Sequence, residues 1–342
     1  MKESKVMIKK IVIVSIVLLV MAEILARLAI TTPSSQTYDP ELGWVYIPHT
    51  SMLHAREGFA RNLINNIGFN DDDLIYDESR EYILFLGDSF TEAFHVERKD
   101  NFTSLVKYNN AITTNVGRSA LSPAQYLTIL SRVRKIFIPD KIILVLTDGD
   151  LYEMLYLPMK IVYDSNNTIA SIELISSKND AVKSLIEPVV QNSALMTYMM
   201  RRLKPIVVDI MNSLGVKDDD IAAQQVDDAG NNLRLMRELL SYIFGVLNQD
   251  NNLYVIYIPS MSFGVVGAQP LSDGNVIQDQ IITEIARKYG IPYLSSLSYL
   301  EQIFAETGQP PFGFHNSIMG VGHLNNHGHR AVARTVTDIL RN

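Results

Sequence analysis

Apolar segments of strand length alternate with segments of helical spacing from residue 82 to the end of this 342-residue chain. Strands are predicted at 82–86, 111–116, 141–146, 252–258 and 291–294, and helices at 123–136, 277–289 and 328–340. Strands that alternate with helices pair in parallel through right-handed crossovers. The sequence therefore predicts an α/β fold, a three-layer sandwich with a mainly parallel central sheet.

The first thirty residues have the composition of a membrane segment. Four lysines, at positions 2, 5, 9 and 10, precede the apolar run Ile11–Ala22, and the apolar character continues to Ile30. Glu23 and Arg27 lie four residues apart and can pair on one helix face. The lysines predict a cytoplasmic N-terminus and a translocated remainder. A cleaved signal segment is the alternative, because the uninterrupted apolar core is only about twelve residues long.

Two further segments depart from the α/β alternation. Residues 31–81 are predicted to be a linker followed by a turn-rich strap, and residues 82–342 to be the α/β domain. An insertion at about 155–245 contains a hairpin at Lys160–Ser176 and helical patterns at 181–214 and 231–247. Because loops gather at the active end of such sheets, we expect this insertion to form a lid.

Composition excludes several classes of function. The net charge of −7 and the pI near 5.5 give no basic surface for nucleic acid. The chain has no cysteine, which excludes disulfides and thiolate metal sites. We therefore predict no cofactor, no metal and no nucleic-acid partner.

The sharpest local feature is Gly87-Asp88-Ser89, directly after the strand predicted at 82–86. Ser89 is thereby placed at the carboxyl end of a strand and near a helix N-terminus. Backbone N–H groups there can stabilise a developing oxyanion. Simple capping of the helix by Asp88 or Ser89 is the alternative.

A histidine-rich loop, Gly322 to His329, precedes the last predicted helix. His323 in this loop can lie over the strand ends and accept the proton of Ser89, which activates a serine hydroxyl as a nucleophile. His327 and His329 are competitors, although His329 falls inside the helix and is better explained as a surface or packing residue. The histidines are not accompanied by a carboxylate set suited to a metal.

Together these motifs resemble the SGNH/GDSL hydrolase family over residues 38–342. The resemblance implies a flavodoxin-like sandwich, with Ser89 as nucleophile and as one oxyanion donor. Asn115-Val116-Gly117 is similar to the second family block and implies a second donor in Gly117, while His323 is implied as the general base. Leu42-Gly43-Trp44 and 66–69 are similar to segments of membrane-anchored bacterial members.

Two positions differ from the family pattern. Gly149, in Thr147-Asp148-Gly149-Asp150, stands where the family has an asparagine that donates to the oxyanion, and Val321 and Gly320 stand where it has an aspartate. Losing one oxyanion donor costs about 10²–10³ in rate, and losing the orienting acid about 10⁴. Backbone N–H groups, a carbonyl, or Asp148 or Asp150 as an auxiliary acid are the candidate replacements.

Three functions follow from these residues. The first is a serine esterase or deacylase that acts on an extracytoplasmic acylated glycan or lipid. The second is an acyltransferase that uses the same Ser89 intermediate and a sugar hydroxyl. The third is a catalytically silent binding or assembly protein, which the two departures favour. The enzyme hypotheses require Ser89 and His323 to meet within hydrogen-bond reach.

Overall fold

A computed structural model describes residues 2–28, 35–157, 159–175, 192–196, 198–199, 229–261, 263–264, 267–268 and 273–341. The chain divides into two compact units. One contains 1–39, 44–47 and 177–220, and the other contains 40–43, 48–176 and 221–342.

In chain order, the helices are α1 (Lys2–Leu28), α2 (Ser89–Glu92), α3 (Phe102–Leu105), α4 (Pro123–Val133), α5 (Asp148–Tyr156), α6 (Ala229–Leu247), α7 (Asp273–Lys288), α8 (Leu297–Thr307) and α9 (Asn326–Arg341). The strands are β1 (Gln36–Asp39), β2 (Gly43–Tyr46), β3 (Ser51–His54), β4 (Ala60–Leu63), β5 (Tyr82–Leu86), β6 (Ile112–Asn115), β7 (Lys141–Thr147), β8 (Met159–Tyr163), β9 (Ile169–Leu174), β10 (Leu253–Ile258), β11 (Phe263–Gly264), β12 (Gly267–Ala268) and β13 (Tyr293–Ser295).

In the first unit, α1 contains a stretch, Lys9–Leu28, that is long and apolar enough to cross a membrane, a test that a signal sequence also passes. The predicted pair is present, with Arg27 Nε donating to Glu23 Oε1 at 2.7 Å. Glu23 also accepts hydrogen bonds from Ser193 Oγ and the backbone N–H groups of Ala194 and Leu195. A carboxylate inside an apolar helix is therefore fully hydrogen-bonded within this unit.

The second unit is built on a five-stranded sheet in the order β13-β10-β7-β5-β6. Every pairing in it is parallel. The predicted three-layer α/β class is confirmed, and all five strands fall within two residues of the predicted bounds. Parallel strands are buried on both faces, which explains why β5 and β7 are nearly continuous apolar runs.

Helices cover both faces of the sheet. Alternate strand residues such as Phe85 and Val145 share one core cluster with α8 and α9. Their neighbours Leu84, Leu86 and Leu144 are equally buried, and their side chains point to the opposite face because side chains alternate along a strand. Helices α4, α5, α6 and α7 contact one another as a second group. The strand ends between the two layers remain available for a site.

The strap is more regular than its composition suggests. The prediction of irregular structure over 38–73 is wrong in part, because β3 and β4 form an antiparallel hairpin there and β1 and β2 form a two-stranded sheet. The hairpin predicted at Lys160–Ser176 is present as β8 and β9. The helix predicted at 231–247 is α6, whereas most of the one predicted at 181–214 lies outside the described residues.

Candidate active site

Ser89 begins α2 directly after β5, as the sequence predicts. Asp88 caps this helix, with Phe90 N donating to Asp88 Oδ1 at 2.9 Å. A Cβ at Gly87 would lie 2.1 Å from Thr91 Oγ1, so the turn closes too tightly for any other residue. Strand, turn and helix therefore present the Ser89 hydroxyl at the carboxyl edge of the sheet.

His323 reaches Ser89 from the opposite end of the sequence. Ser89 Oγ and His323 Nε2 are 2.9 Å apart, across a separation of 234 residues. The loop that carries His323 is held by Asn325, whose side-chain oxygen accepts from His327 N and whose amide donates to Pro310 O and Gly313 O. The spatial meeting that the enzyme hypotheses require is therefore present.

The other ring nitrogen of His323 is held by Glu57, a residue that the sequence analysis did not single out. Glu57 Oε2 lies 2.7 Å from His323 Nδ1, and Glu57 Oε1 accepts the backbone N–H of His323 at 2.9 Å. Glu57 lies in the turn between β3 and β4. One carboxylate therefore fixes both the backbone and the ring of His323, in the manner of the acid of a serine–histidine–acid triad.

Two glycines and one asparagine bring this turn against the histidine loop. A Cβ at Gly322 would lie 2.2 Å from Glu57 Oε1, and one at Gly58 would lie 2.2 Å from His95 O. Both glycines have positive φ angles, +101° and +73°. Asn316 accepts from Gly58 N at 2.9 Å and donates to Gly58 O at 2.8 Å. The close approach is thus built into the backbone of both segments.

Gly322→Ala is expected to separate Glu57 from His323. The Cβ would overlap the carboxylate and also occupy a φ region that alanine rarely adopts. Because misplacing a catalytic group by about 1 Å can cost about 10² in rate, we expect up to that loss in phosphonate labelling of Ser89. Gly308→Ala is the matched control, since Gly308 has a φ of +66° and an open Cβ position. Equal loss in both variants would contradict the role given to Gly322.

Asp148 and Asp150 do not reach His323, which corrects the proposal that either is an auxiliary acid. Asp148 accepts the Tyr257 hydroxyl and Ser260 N. Asp150 accepts Tyr126 Oη at 2.7 Å and Thr147 N at 2.6 Å. Both carboxylates are therefore committed at the start of α5, as the turn and capping interpretation predicts.

Asp150 belongs to a buried acid pair. Thr147 Oγ1 lies 2.9 Å from Asp88 Oδ2 and 3.1 Å from Asp150 Oδ2, and its single proton can serve one of them at a time. Burial raises the pKa of Asp150 well above its usual range, and the neighbouring Asp88 charge raises it further. Burial also raises the pKa of Asp88. Folding therefore favours the protonated form of Asp150 relative to the unfolded chain.

Asp150→Asn is expected to stabilise the protein at neutral pH without lowering activity. The amide can donate to Tyr126 Oη, whose own proton then goes to Leu121 O at 3.1 Å. Because the pKa of Asp150 is raised by folding, its contribution to the unfolding free energy of the wild type is full below about pH 4 and is lost as pH rises. The variant has no carboxyl group at this position and avoids that loss. We expect a gain of about 1–2 kcal/mol in unfolding free energy at pH 8, within the usual size of single-site effects. Denaturant titrations at pH 4 and pH 8 measure it. If the difference in unfolding free energy between the variant and wild type is the same at pH 8 as at pH 4, the raised pKa of Asp150 is contradicted.

Gly117 differs from the role that the resemblance implied for it. Its N–H donates to Asn115 Oδ1 at 2.8 Å and is thereby occupied. Asn115 is oriented by donating to Thr91 O at 2.8 Å. A Cβ at Gly117 would lie 2.5 Å from Glu92 N, so the glycine permits close packing on α2. The Gly117 N–H is therefore already bonded within the protein, and the oxyanion role of the Ser89 N–H stays a prediction.

The remaining histidines of the loop have structural surroundings. His329 is buried in α9, where its Nδ1 accepts from Phe102 N at 3.3 Å and its ring stacks on Phe102. Burial lowers the pKa of His329 to about 3. Its packing interpretation agrees with these contacts. His327 lies in the first turn of α9, which Asn325 caps.

One cluster among the described residues has atoms of the type that bind metals. Ligand atoms of Glu57, His95 and His323 lie within 4.8 Å of one another. The two imidazole rings are stacked, with centroids 3.8 Å apart and an interplanar angle of 18°. Because the nitrogen lone pairs lie in the ring planes, those of stacked rings do not converge on one ion. The cluster is better suited to proton transfer than to coordination.

Comparison with known proteins gives structural relatives only. No family model and no curated protein matches the sequence. Solved structures are similar at low identity. A member of the lipolytic protein G-D-S-L family from Veillonella parvula has 12% identity and a TM-score of 0.39, covering 77% of this chain and 99% of its own. Esterase EstA from Pseudoalteromonas sp. has 12% identity and a TM-score of 0.38, covering 77% and 100%.

A variant of Axe2, an acetylxylan esterase from Geobacillus stearothermophilus, has 14% identity and a TM-score of 0.36, covering 76% of this chain and 94% of its own. At these identities and TM-scores the likeness does not assign an activity. The function proposed below depends on the side chains of the site.

Proposed function

We propose that this protein is a serine-dependent ester hydrolase that uses Ser89 as nucleophile, His323 as general base and Glu57 as orienting acid. The observation that carries the proposal is the continuous hydrogen-bonded chain from Ser89 Oγ through the His323 ring to Glu57. Such a chain turns a poor hydroxyl nucleophile into a reactive one. Glu57 supplies the acid that the residues before His323 lack.

The proton path follows from the tautomer that Glu57 selects. A carboxylate beside Nδ1 requires a proton on that nitrogen, which leaves Nε2 free to accept the Ser89 proton. Ser89 Oγ then bonds to the acyl carbonyl carbon, and His323 returns the proton to the departing alcohol. Water repeats the cycle on the acyl-serine and releases the acid. Glu57 stays ionised and stabilises the imidazolium formed in each half.

The oxyanion requires donors other than Gly117. The Ser89 N–H lies in the first turn of α2, where the helix provides no acceptor. Helix α5 begins at the adjacent strand end, and Thr147 joins it to Asp88 through a 2.9 Å hydrogen bond. We assign the Ser89 N–H and the first-turn N–H groups of α5 as donors. They replace Gly117 and the asparagine that the family has at position 149.

The substrate and the compartment are assigned from the N-terminal segment. An apolar helix preceded by lysines supports a membrane anchor with its N-terminus in the cytoplasm and the α/β domain outside. An acylated glycan or lipid at the cell surface is the substrate class that such a domain meets. Because the chain has no cysteine, labelling one introduced cysteine with a membrane-impermeant maleimide tests the orientation.

A fluorophosphonate probe tests the proposed chemistry. It should form a covalent adduct that peptide mapping locates at Ser89, and Ser89→Ala should abolish the adduct. Ser104→Ala is the matched control, since Ser104 is a serine of α3 that does not belong to the Ser89–His323–Glu57 chain. Folded protein that forms no adduct would favour the catalytically silent binding protein. Turnover of the adduct with and without an added sugar acceptor separates hydrolysis from acyl transfer.

A further inference from the structure

His95 contacts the proposed general base, His323, although the proposed chemistry gives His95 no role. Its ring stacks face to face on His323, with centroids 3.8 Å apart and planes inclined by 18°. The residue is buried, with 7% of its surface exposed. Proton transfer from Ser89 to His323 does not pass through His95. A buried polar ring in this position therefore needs another explanation.

His95 also joins the three segments that carry the site residues. It follows Ser89 by six residues in the chain, and its carbonyl oxygen occupies the space that a Cβ at Gly58 would need. His95 Nε2 lies 4.0 Å from Glu57 Oε2. The His54 ring meets the His95 ring edge to face, at 4.4 Å between centroids. A change in the His95 ring is therefore expected to affect the positions of both His323 and Glu57.

The charge state of His95 suits a stacking role. Burial lowers the pKa of His95 to about 2, and the charges of His323, His54 and His329 act in the same direction. The His95 ring is thus neutral at neutral pH. A neutral aromatic face attracts a cation placed over it, typically more strongly when both are desolvated.

We propose that His95 is a positioning residue, which keeps the His323 ring in line between Ser89 and Glu57 and stabilises the imidazolium formed during turnover. This role rests on the proposed function. Stacking restricts rotation of the His323 ring about its side-chain bonds, so that both of its hydrogen bonds can form at once. The face of His95 adds an attraction that grows only when His323 becomes charged, which is a transition-state contribution.

The test compares His95→Leu with His95→Phe. Leucine removes the aromatic face, whereas phenylalanine keeps the face and removes the ring nitrogens. With a chromogenic acetyl ester, we expect His95→Leu to lower kcat about tenfold and to leave KM unchanged. The kcat of His95→Phe should stay within about threefold of the wild-type value. Thermal unfolding of both variants checks that they fold.

Proton NMR supplies a readout that needs no turnover. The Nδ1 proton of His323, held by Glu57, should give a low-field resonance in the wild type and in His95→Phe, and a broadened or lost one in His95→Leu. If the resonance and kcat fall equally in both variants, the ring nitrogens matter and the stacking proposal is overturned. If neither changes in His95→Leu, the proposal is also overturned.

The two proposals fail separately. Wild-type protein that gives no Ser89 adduct refutes the hydrolase, whatever the NMR result. In that case the resonance still decides whether His95 orders the His323 ring. Wild-type protein that labels and turns over, with a fully active and folded His95→Leu, refutes the positioning role alone.

Discussion

Glu57→Gln is expected to lower kcat by about 10⁴ while leaving KM nearly unchanged, the effect of losing the orienting acid of a triad. The carboxylate accepts two donors at once, His323 N at 2.9 Å and the His323 ring at 2.7 Å. The glutamine amide has only one oxygen, and this oxygen accepts the hydrogen bond from the backbone N–H of His323. The NH₂ group then faces Nδ1, so the ring must carry its proton on Nε2. Nε2 in that form cannot accept the Ser89 proton.

Steady-state kinetics and the rate of phosphonate labelling measure this effect. Glu97→Gln is the matched control, since Glu97 is an exposed glutamate of the same unit, paired with Lys99. Glu57→Asp keeps the charge on a shorter side chain and should lose less than the amide does. A Glu57→Gln variant with kcat within tenfold of wild type would show that His323 is oriented by something else.

The sheet and the serine–histidine pair are the parts that the sequence predicts. Apolar runs such as Tyr82–Leu86 are local signals, and topology then fixes which ends of the strands meet. Ser89 and His323 each belong to a short sequence motif, and both motifs lie near those strand ends. Helix α8 was not predicted, although Leu297, Leu300 and Phe304 have helical spacing. Only Ser296 separates it from β13, so no turn signal marks the start of the helix.

Glu57 could not be predicted in the same way, because its contact joins residues 266 apart in the chain. Its turn, Arg56-Glu57-Gly58, has the composition of an ordinary surface loop. The signals present were indirect ones: a glycine on each side of the contact, Gly58 and Gly322, both with positive φ. His95 left a clearer trace, since it is a histidine inside the apolar run Phe94-His95-Val96.

Because Glu57 lies against the His323 ring, the proposed triad does not need the aspartate that the family has at position 320 or 321. A triad acid need only reach the ring nitrogen that faces away from the nucleophile. Here the hairpin of β3 and β4 supplies it, while Asn316 ties the two loops together. Because the acid comes from another segment, positions 320 and 322 can both be glycines. These two glycines form the tight turn beside Glu57 with positive φ angles. The departure at Gly149 has no such replacement among side chains.

Gly149→Asn is therefore expected to raise kcat, by about 10²-fold, since one oxyanion donor is worth about 10²–10³. The resemblance places a donating asparagine at this position, in the first turn of α5. The structure has room for it, because a Cβ at Gly149 would lie no closer than 3.5 Å to any neighbour, the nearest being Glu153 Oε1. Initial rates on a chromogenic acetyl ester measure the gain.

Gly149→Ala separates the donor from the helix. Alanine fills the same space and stabilises the first turn of α5 as well as asparagine does, but it donates nothing. A gain in the asparagine variant alone would identify stabilisation of the oxyanion as the step that limits the proposed activity. Equal gains would mean that ordering of α5 sets the rate. No gain in either would mean that backbone N–H groups already satisfy the oxyanion, and the glycine would then be a neutral replacement in this chain.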